Sequence, residues 1–477
     1  MKKTSSFYKN ISLATLVVSL FTMSCSKQIA LVPTDSIDPS KAFKSVADIN
    51  AGLLGAYNKL NYYSSIFYTS RITDEVMLPA ENSTGSGVAT YRWQYDGTFT
   101  HDAWPDNYKA IDRANRVLSV IDRIEAKPGE AILKDQYKGE LLALRAYCHF
   151  ELIRNFAEKY EPNAMGVPYM EVSEIGSPSR LSFGATMAKI NADLVAAKAL
   201  IPASFGDNSR ITKAAVSAIQ ARCALYEKNW DNAITYSTEA INAVALASRT
   251  DFPQIWKDKS NKEVIWKLKR VVSDAETPLG NLYTQAGFLT NPAGSRVYFA
   301  ASHELTDLFD QADDIRFSSY IKIDDGRKNA GKMPNVVVKY INDATSNPNL
   351  VDIKLYRTGE MYLIRSEAYA EKTNLTLAED DLNALRAARI SGYVTETFGS
   401  KDAIKTALLT ERFKELAFEG HRHFDLRRYN LPITRLPEDA VNALGAVLLT
   451  PQDARYVFPI PNSELKANKN MKQNPNY

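Results

Sequence analysis

Apolar residues recur at three- and four-residue intervals through much of the chain, and that spacing predicts helix after helix. In DNYKAIDRANRVLSVIDRI, residues 106–124, Tyr108, Ile111, Leu118 and Ile121 form one stripe, with Val117 and Ile124 beside it. Pro105 ahead of the stripe and Pro128-Gly129 behind it are helix punctuation. YKGELLALRAYCHFELIRNFAE (137–158) is apolar over a wide face and is expected to be largely buried. TMAKINADLVAAKALI (186–201) and TKAAVSAIQARCALYEKN (212–229) continue the series, and WDNAITYSTEAINAV (230–244) follows after only a tight turn.

That last pair has the look of a tetratricopeptide-type hairpin. Ala221, Ala224, Ala233 and Ala240 are small where two helices approach, and Trp230 stands at the turn. A second, looser unit is 359–389, with Ser366, Tyr369 and Ala378 at the same offsets. The expected fold is therefore mainly α, a scaffold of tetratricopeptide-like helical pairs. Long irregular stretches interrupt it at 62–104, 160–183, 245–300 and 320–352, and loops of that length are usually functional. In the first, a Gly/Ser segment leads into Tyr91, Trp93 and Tyr95. Alternation through YRWQY predicts three rings on one side of a short extended segment, either facing a ligand or packed under the loop.

The amino terminus carries an address. After Lys2, Lys3 and Lys9 comes the apolar run ISLATLVVSLFTM (11–23), too short to span a bilayer comfortably but right for a signal-peptide core. It ends at Ser24-Cys25, as a lipoprotein cleavage site does. Cys25 is accordingly the expected lipidation point; in an ordinary secretory signal it would be incidental. The formal charge is +3, and those three lysines account for it. A neutral remainder offers no general attraction for nucleic acid. The other two cysteines, Cys148 and Cys223, sit inside helical patterns and read as packed thiols, with a single bridge as the alternative.

One run invites a chemical reading: EGHRHFDLRRYN, 419–430. On a helix, His421 and His423 point to different sides and cannot share a metal. Glu411, Glu415 and Glu419 are spaced four apart, Arg422 lies three before Asp425, and Arg427 and Arg428 follow. The economical reading is a structural charge network in which Arg422 touches Asp425 and the glutamates pair with Arg427 or Arg428. No phosphate-binding loop, dinucleotide fingerprint, GxSxG elbow or HExxH is present, so no cofactor, metal or catalytic residue is assigned.

ERFKELAFEGHRHFDLRRY (411–429) resembles the signature of SusD/RagB-type nutrient-uptake lipoproteins of Bacteroidetes. DNYKAIDRANRVL, GELLALRAYCHFELIRNFAE with GVPYM, YLIRSEAYAE with DLNALRAARISGY, and the tail FPIPNSELKANKNMKQNPNY agree in the same order. Asn476 stands where the family's closing motif has glycine, and asparagine tolerates the same left-handed turn. The resemblance implies a SusD-like helical fold divided as a signal peptide (1–24), an N-terminal helical region (25–245) and a C-terminal region with variable loops (246–477). It also implies a lipid-anchored protein of the cell outer membrane, surface-exposed, that binds glycans without cleaving them. Such a protein serves a SusC-like TonB-dependent transporter, and in it the run 419–430 is scaffold.

Sugar recognition needs ring faces and polar side chains. The candidates are Tyr91, Trp93, Tyr95, Asn82 and Asp96 in the first loop, and Tyr283, Arg296 and Tyr298 in the third. Trp93 in particular is expected to face the ligand, with the helical scaffold independent of it. Peptide binding on the same architecture, a scaffold serving only protein partners, and a hydrolase with a hidden carboxylate pair are the competing functions.

Overall fold

Helices carry the architecture of the computed structural model, which describes residues 42–82, 85–273 and 277–477. The signal segment and Cys25 lie outside the described residues. The helices that build and position the site are α1 (Val46–Tyr57), α2 (Tyr63–Ile72), α3 (Val88–Tyr91), α4 (Ala103–Ile121), α5 (Ala131–Phe156) and α6 (Phe183–Leu200). They continue as α7 (Lys213–Glu227), α8 (Trp230–Ala243), α9 (Thr358–Glu371), α10 (Leu375–Ala387), α11 (Lys401–Glu415) and α12 (Arg422–Arg428). The mainly helical class is as expected. The 106–124 stripe begins three residues early, with Pro105 inside the first turn of α4, where a missing N–H costs nothing.

The α7–α8 hairpin closes tightly because its ends are capped by their own side chains. Lys228 takes a left-handed conformation (φ 56°) to stop α7, and the Asn229 side chain accepts from the Asn232 N–H to start α8. Ala221, Ala224, Ala233 and Ala240 are all buried where the helices meet. In the second pair, the Ser366 hydroxyl of α9 donates to the Ala378 carbonyl of α10 at 2.6 Å, a contact only a small side chain allows. α9 packs on both α8 and α10, so the two hairpins stack. The principal core runs through both halves of the chain, from Ile49 to Met471, and encloses Trp104, Trp256 and Trp266. Cys148 and Cys223 are buried free thiols, and burial pushes both well above the ordinary thiol range.

Three of the four stretches read as irregular contain structure. α2 lies in the first, but it buries Ser64, Ser65, Thr69, Ser70 and Arg71 beside its apolar residues, so no amphipathic period shows. The strands are too short for a two-residue alternation to register. β1 (Val76–Met77) pairs with β3 (Ala300–Ala301), β2 (Val264–Leu268) with β6 (Ile353–Arg357), β4 (Ile321–Ile323) with β5 (Asn335–Val337), and β7 (Ile433–Thr434) with β8 (Leu448–Leu449), all antiparallel.

Arginines from distant segments surround the glutamates of α11. Glu415, fully buried, accepts from Arg316 at 3.1 Å, Arg389 at 3.0 Å and Arg357 at 2.9 Å. Glu411 pairs with Arg316 and Arg386, and Glu419 with Arg357 and Lys339. Burial alone would raise the Glu415 carboxyl, but its three guanidiniums outweigh it and hold the group well below the carboxylate range.

The expected partners are corrected. Arg422 pairs with Asp74 at 2.6 Å, Asp425 with Arg412 and Arg428, and Arg428 with Glu367. Among the described residues Arg427 pairs with no glutamate; it donates to the carbonyls of Arg154 and Ala157 and to the Tyr160 hydroxyl. The reason is the turn between α11 and α12. Phe418 (φ 67°) and Gly420 (φ 78°) are left-handed, so α12 starts on a new axis and the i, i+4 register of α11 does not carry into it. His421 and His423 are buried there, and burial together with neighbouring arginines keeps both neutral.

Candidate functional site

The two candidate loops meet. β1 and β3 join their bases, the Asn82 amide donates to the Tyr298 carbonyl at 2.6 Å, and the Val297 N–H donates to the Glu81 carboxylate at 3.1 Å. The Tyr91 and Phe299 rings lie 6.0 Å apart.

Within that surface the candidates separate into two groups. The alternation read through YRWQY is corrected: Tyr91 ends the helical turn α3, and Trp93 is left-handed (φ 52°), so the three rings do not share one extended face. Tyr91 is buried, with its hydroxyl donating to the Asp439 carbonyl and the Arg435 guanidinium 3.9 Å from its ring. Trp93 is 4% exposed and donates its indole N–H to the Ile72 carbonyl at 2.9 Å. Both rings cover the same buried arginine, which is why they turn inward. Tyr283 is buried against Ser70, and Asn82 is spent on the loop contact above. Asp96 and Arg296 are exposed, and Tyr95 and Tyr298 are half-buried.

Beside the outward group lies a broad hollow of 680 Å³. Its floor is formed by Tyr95 and Phe99, whose rings are 5.0 Å apart and tilted by 37°, both backed by Phe458. Trp93 also borders it, whereas Arg296 and Tyr298 do not line it. Polar side chains ring the floor. Gln94 and Asp96 are exposed; Arg92 is fixed by a bond to the Asn442 carbonyl at 3.0 Å. Arg455 is held by Asp453 and by the Trp93 carbonyl, and its own carbonyl accepts from the Tyr95 hydroxyl. Hydrogen bonds from Thr98 hold the Asp96 carboxyl below its usual range, and Arg455 does the same for Asp453. Both carboxylates are thus acceptors at neutral pH, not proton donors.

Sequence reasoning passed over Arg92 and Gln94, which alternate with the rings of YRWQY. It also missed Phe99 and Arg455. The first stands four residues beyond Tyr95 and an aromatic count of the loop would have found it. The second arrives from the far end of the chain, and nothing local marks it.

Two family models match. Residues 30–225 match the model described as starch-binding, associating with the outer membrane, and residues 310–477 match the SusD family model. The chain belongs to the SusD-like family. A curated SusD-like protein of Formosa agariphila is 22% identical over 98% of this chain and 99% of its own length. Among solved structures, a SusD superfamily protein of Bacteroides thetaiotaomicron superposes with a TM-score of 0.77 at 22% identity, covering 90% of this chain and all (100%) of that one. A laminarin-binding SusD-like protein superposes at 0.72 with 20% identity, covering 91% and 100% of the two chains. At these identities the superpositions establish a shared SusD-like fold.

Proposed function

We propose that this SusD-like chain is a lipid-anchored outer-membrane protein that captures an oligosaccharide in the hollow over Tyr95 and Phe99 and passes it, uncleaved, to a SusC-like transporter. The observation that carries the reading is the pairing of an aromatic floor with a polar rim in which Arg92, Asp96 and Arg455 are held by hydrogen bonds. Ring faces suit the C–H side of a sugar, and amide, carboxylate and guanidinium suit its hydroxyls. The ionised state of Asp96 and Asp453 favours binding over glycoside cleavage, which needs one protonated carboxyl. Val441, Leu444 and Val447 on the β7–β8 connection and Leu448 at the start of β8 expose apolar side chains, with Leu444 on the hollow itself, a surface consistent with a protein partner. The two rim arginines are what favours the second reading, an acidic peptide in the same hollow.

A glycan array followed by calorimetry on the full chain tests this. The double variant Gln94→Ala/Asp96→Ala is expected to lose about tenfold or more in affinity at unchanged melting temperature. Each exposed rim group would supply about 0.5–3 kcal/mol of hydrogen bonding to hydroxyls, and each 1.4 kcal/mol is tenfold. Unaltered affinity moves the site elsewhere. Products appearing from a purified polysaccharide on prolonged incubation would reject pure binding.

Anchoring has its own test. Cys25→Ala is expected to leave the membrane fraction and remain folded, since acyl chains alone would hold the protein there. A variant that still pellets with membranes after a salt wash contradicts the anchor.

A further inference from the structure

Two more hollows lie along the segment 451–457, which also supplies Arg455 to the first. The middle one, 440 Å³, is lined by Asp453, the ion-pair partner of the Arg455 that borders the first hollow. The last, 640 Å³, shares Glu158, Lys159, Asn430, Pro451 and Val457 with the middle one, so the surfaces are continuous. It opens at the α7–α8 turn, where Trp230 is half-buried. Among the described residues no second ring or cation covers that indole. The tyrosines of the same lining are covered: Arg427 lies 4.6 Å from the Tyr160 ring, and Lys405 and Arg428 lie 5.5 and 5.2 Å from the Tyr429 ring.

The charges of this last hollow nearly cancel: besides the paired groups, Glu158, Glu161, Lys159 and Lys228 line it with two charges of each sign. Arg428 pairs with Glu367, Lys405 with Glu371, and Arg427 is consumed by main-chain carbonyls. A lining whose charges nearly cancel, beside a half-buried indole, suits a neutral polyhydroxyl ligand better than a charged one.

We infer that the three hollows form a single elongated groove with Trp230 as a second aromatic platform, and that its ligand is a neutral oligosaccharide long enough to reach from Tyr95 and Phe99 to Trp230. The inference rests on the glycan reading of the first hollow. Short oligosaccharides occupy the first hollow alone; longer ones gain affinity at the second platform.

Calorimetry with malto-, laminari-, xylo- and manno-oligosaccharides graded in length tests it on the full chain. The wild type is expected to bind longer members of one series more tightly. Trp230→Ala should abolish that gain, a loss of about tenfold for the longest members, and leave the shortest binders unchanged. Trp230→Phe should restore most of it. Where circular dichroism shows Trp230→Ala unfolded, Gln452→Trp, at an exposed position of the middle hollow, carries the test by obstructing only long ligands. Normal short-chain binding with no dependence on length or on either variant overturns the groove and leaves the first hollow standing. A loss equal at every length also overturns it. No binding in any series, or binding of charged peptides instead, overturns the glycan reading and the groove together.

Discussion

Glu415→Gln is expected to be the most destabilising conservative change in the chain. The substitution keeps the volume but removes the charge that three buried guanidiniums share, and it turns an amide NH₂ toward groups that can only donate. Arg316 retains Asp314 and Glu411, Arg357 retains Glu263 and Glu419, and Arg389 retains Glu263, so the cluster is weakened and not dissolved. Breaking a buried pair from one side costs about 3–5 kcal/mol, against a total stability of about 5–15 kcal/mol for a typical domain.

The pH dependence should follow the same logic. Glu411, Glu415, Glu419 and Asp425 are all held below their ordinary values, because neighbouring cations outweigh the effect of burial. Their contribution is complete above the ordinary carboxylate pKa and drains away as pH falls through the lower folded values. Glu75 works in the opposite sense. Burial raises it to about 7, so its contribution is present below the ordinary value and is lost as pH rises toward 7. Urea titrations from neutral into acid solution should show a steep acid limb in the wild type and a shallower one in Glu415→Gln. Equal midpoints at neutral pH with parallel acid limbs would mean the cluster contributes nothing.

Trp93→Ala is expected to melt far below the wild type, the reverse of what its Gly/Ser-flanked position in the sequence implies. Its indole fills a buried site and satisfies the Ile72 carbonyl. It also lies 4.4 Å from the Arg435 guanidinium, whose hydrogen bonds to the carbonyls of Thr73, Tyr91 and Arg71 tie α2 and α3 to the C-terminal region. Truncating a buried tryptophan costs about 3–5 kcal/mol through the cavity it leaves. An unmet buried acceptor adds about 1–3 kcal/mol. Differential scanning calorimetry decides: a normal melting temperature combined with lost glycan affinity would return Trp93 to the ligand face.

The contrast between Trp93 and Trp230 shows what the sequence could and could not disclose. α4 to α8 were legible because each has a periodic apolar face and local punctuation, and those signals depend on neighbours within a few turns. Glu411, Glu415 and Glu419 were legible as a charged set for the same reason. Their partners were not, since Arg316, Arg357 and Arg389 reach them across many intervening residues and only the folded chain sets those distances. The same holds for the loop aromatics. An aromatic in a polar loop looks available, yet whether it turns inward depends on what lies beneath, and Arg435 lies beneath Tyr91 and Trp93. Trp230 read as a turn residue of a helical hairpin, and its place in a hollow becomes visible only beside α12 and the segment after Pro451.

The buried thiols have a practical reach. The chain has three cysteines, and in a Cys25→Ala background the two left, Cys148 and Cys223, are shut inside helices with their thiols held protonated. Maleimide and disulfide reagents attack the thiolate and need access to it, so both should stay silent toward a surface label. A single new cysteine at exposed Leu444, on the lip of the first hollow, could then carry an environment-sensitive fluorophore without competing sites. Such a labelled chain would report occupancy of that hollow in real time, separately from events at the Trp230 end.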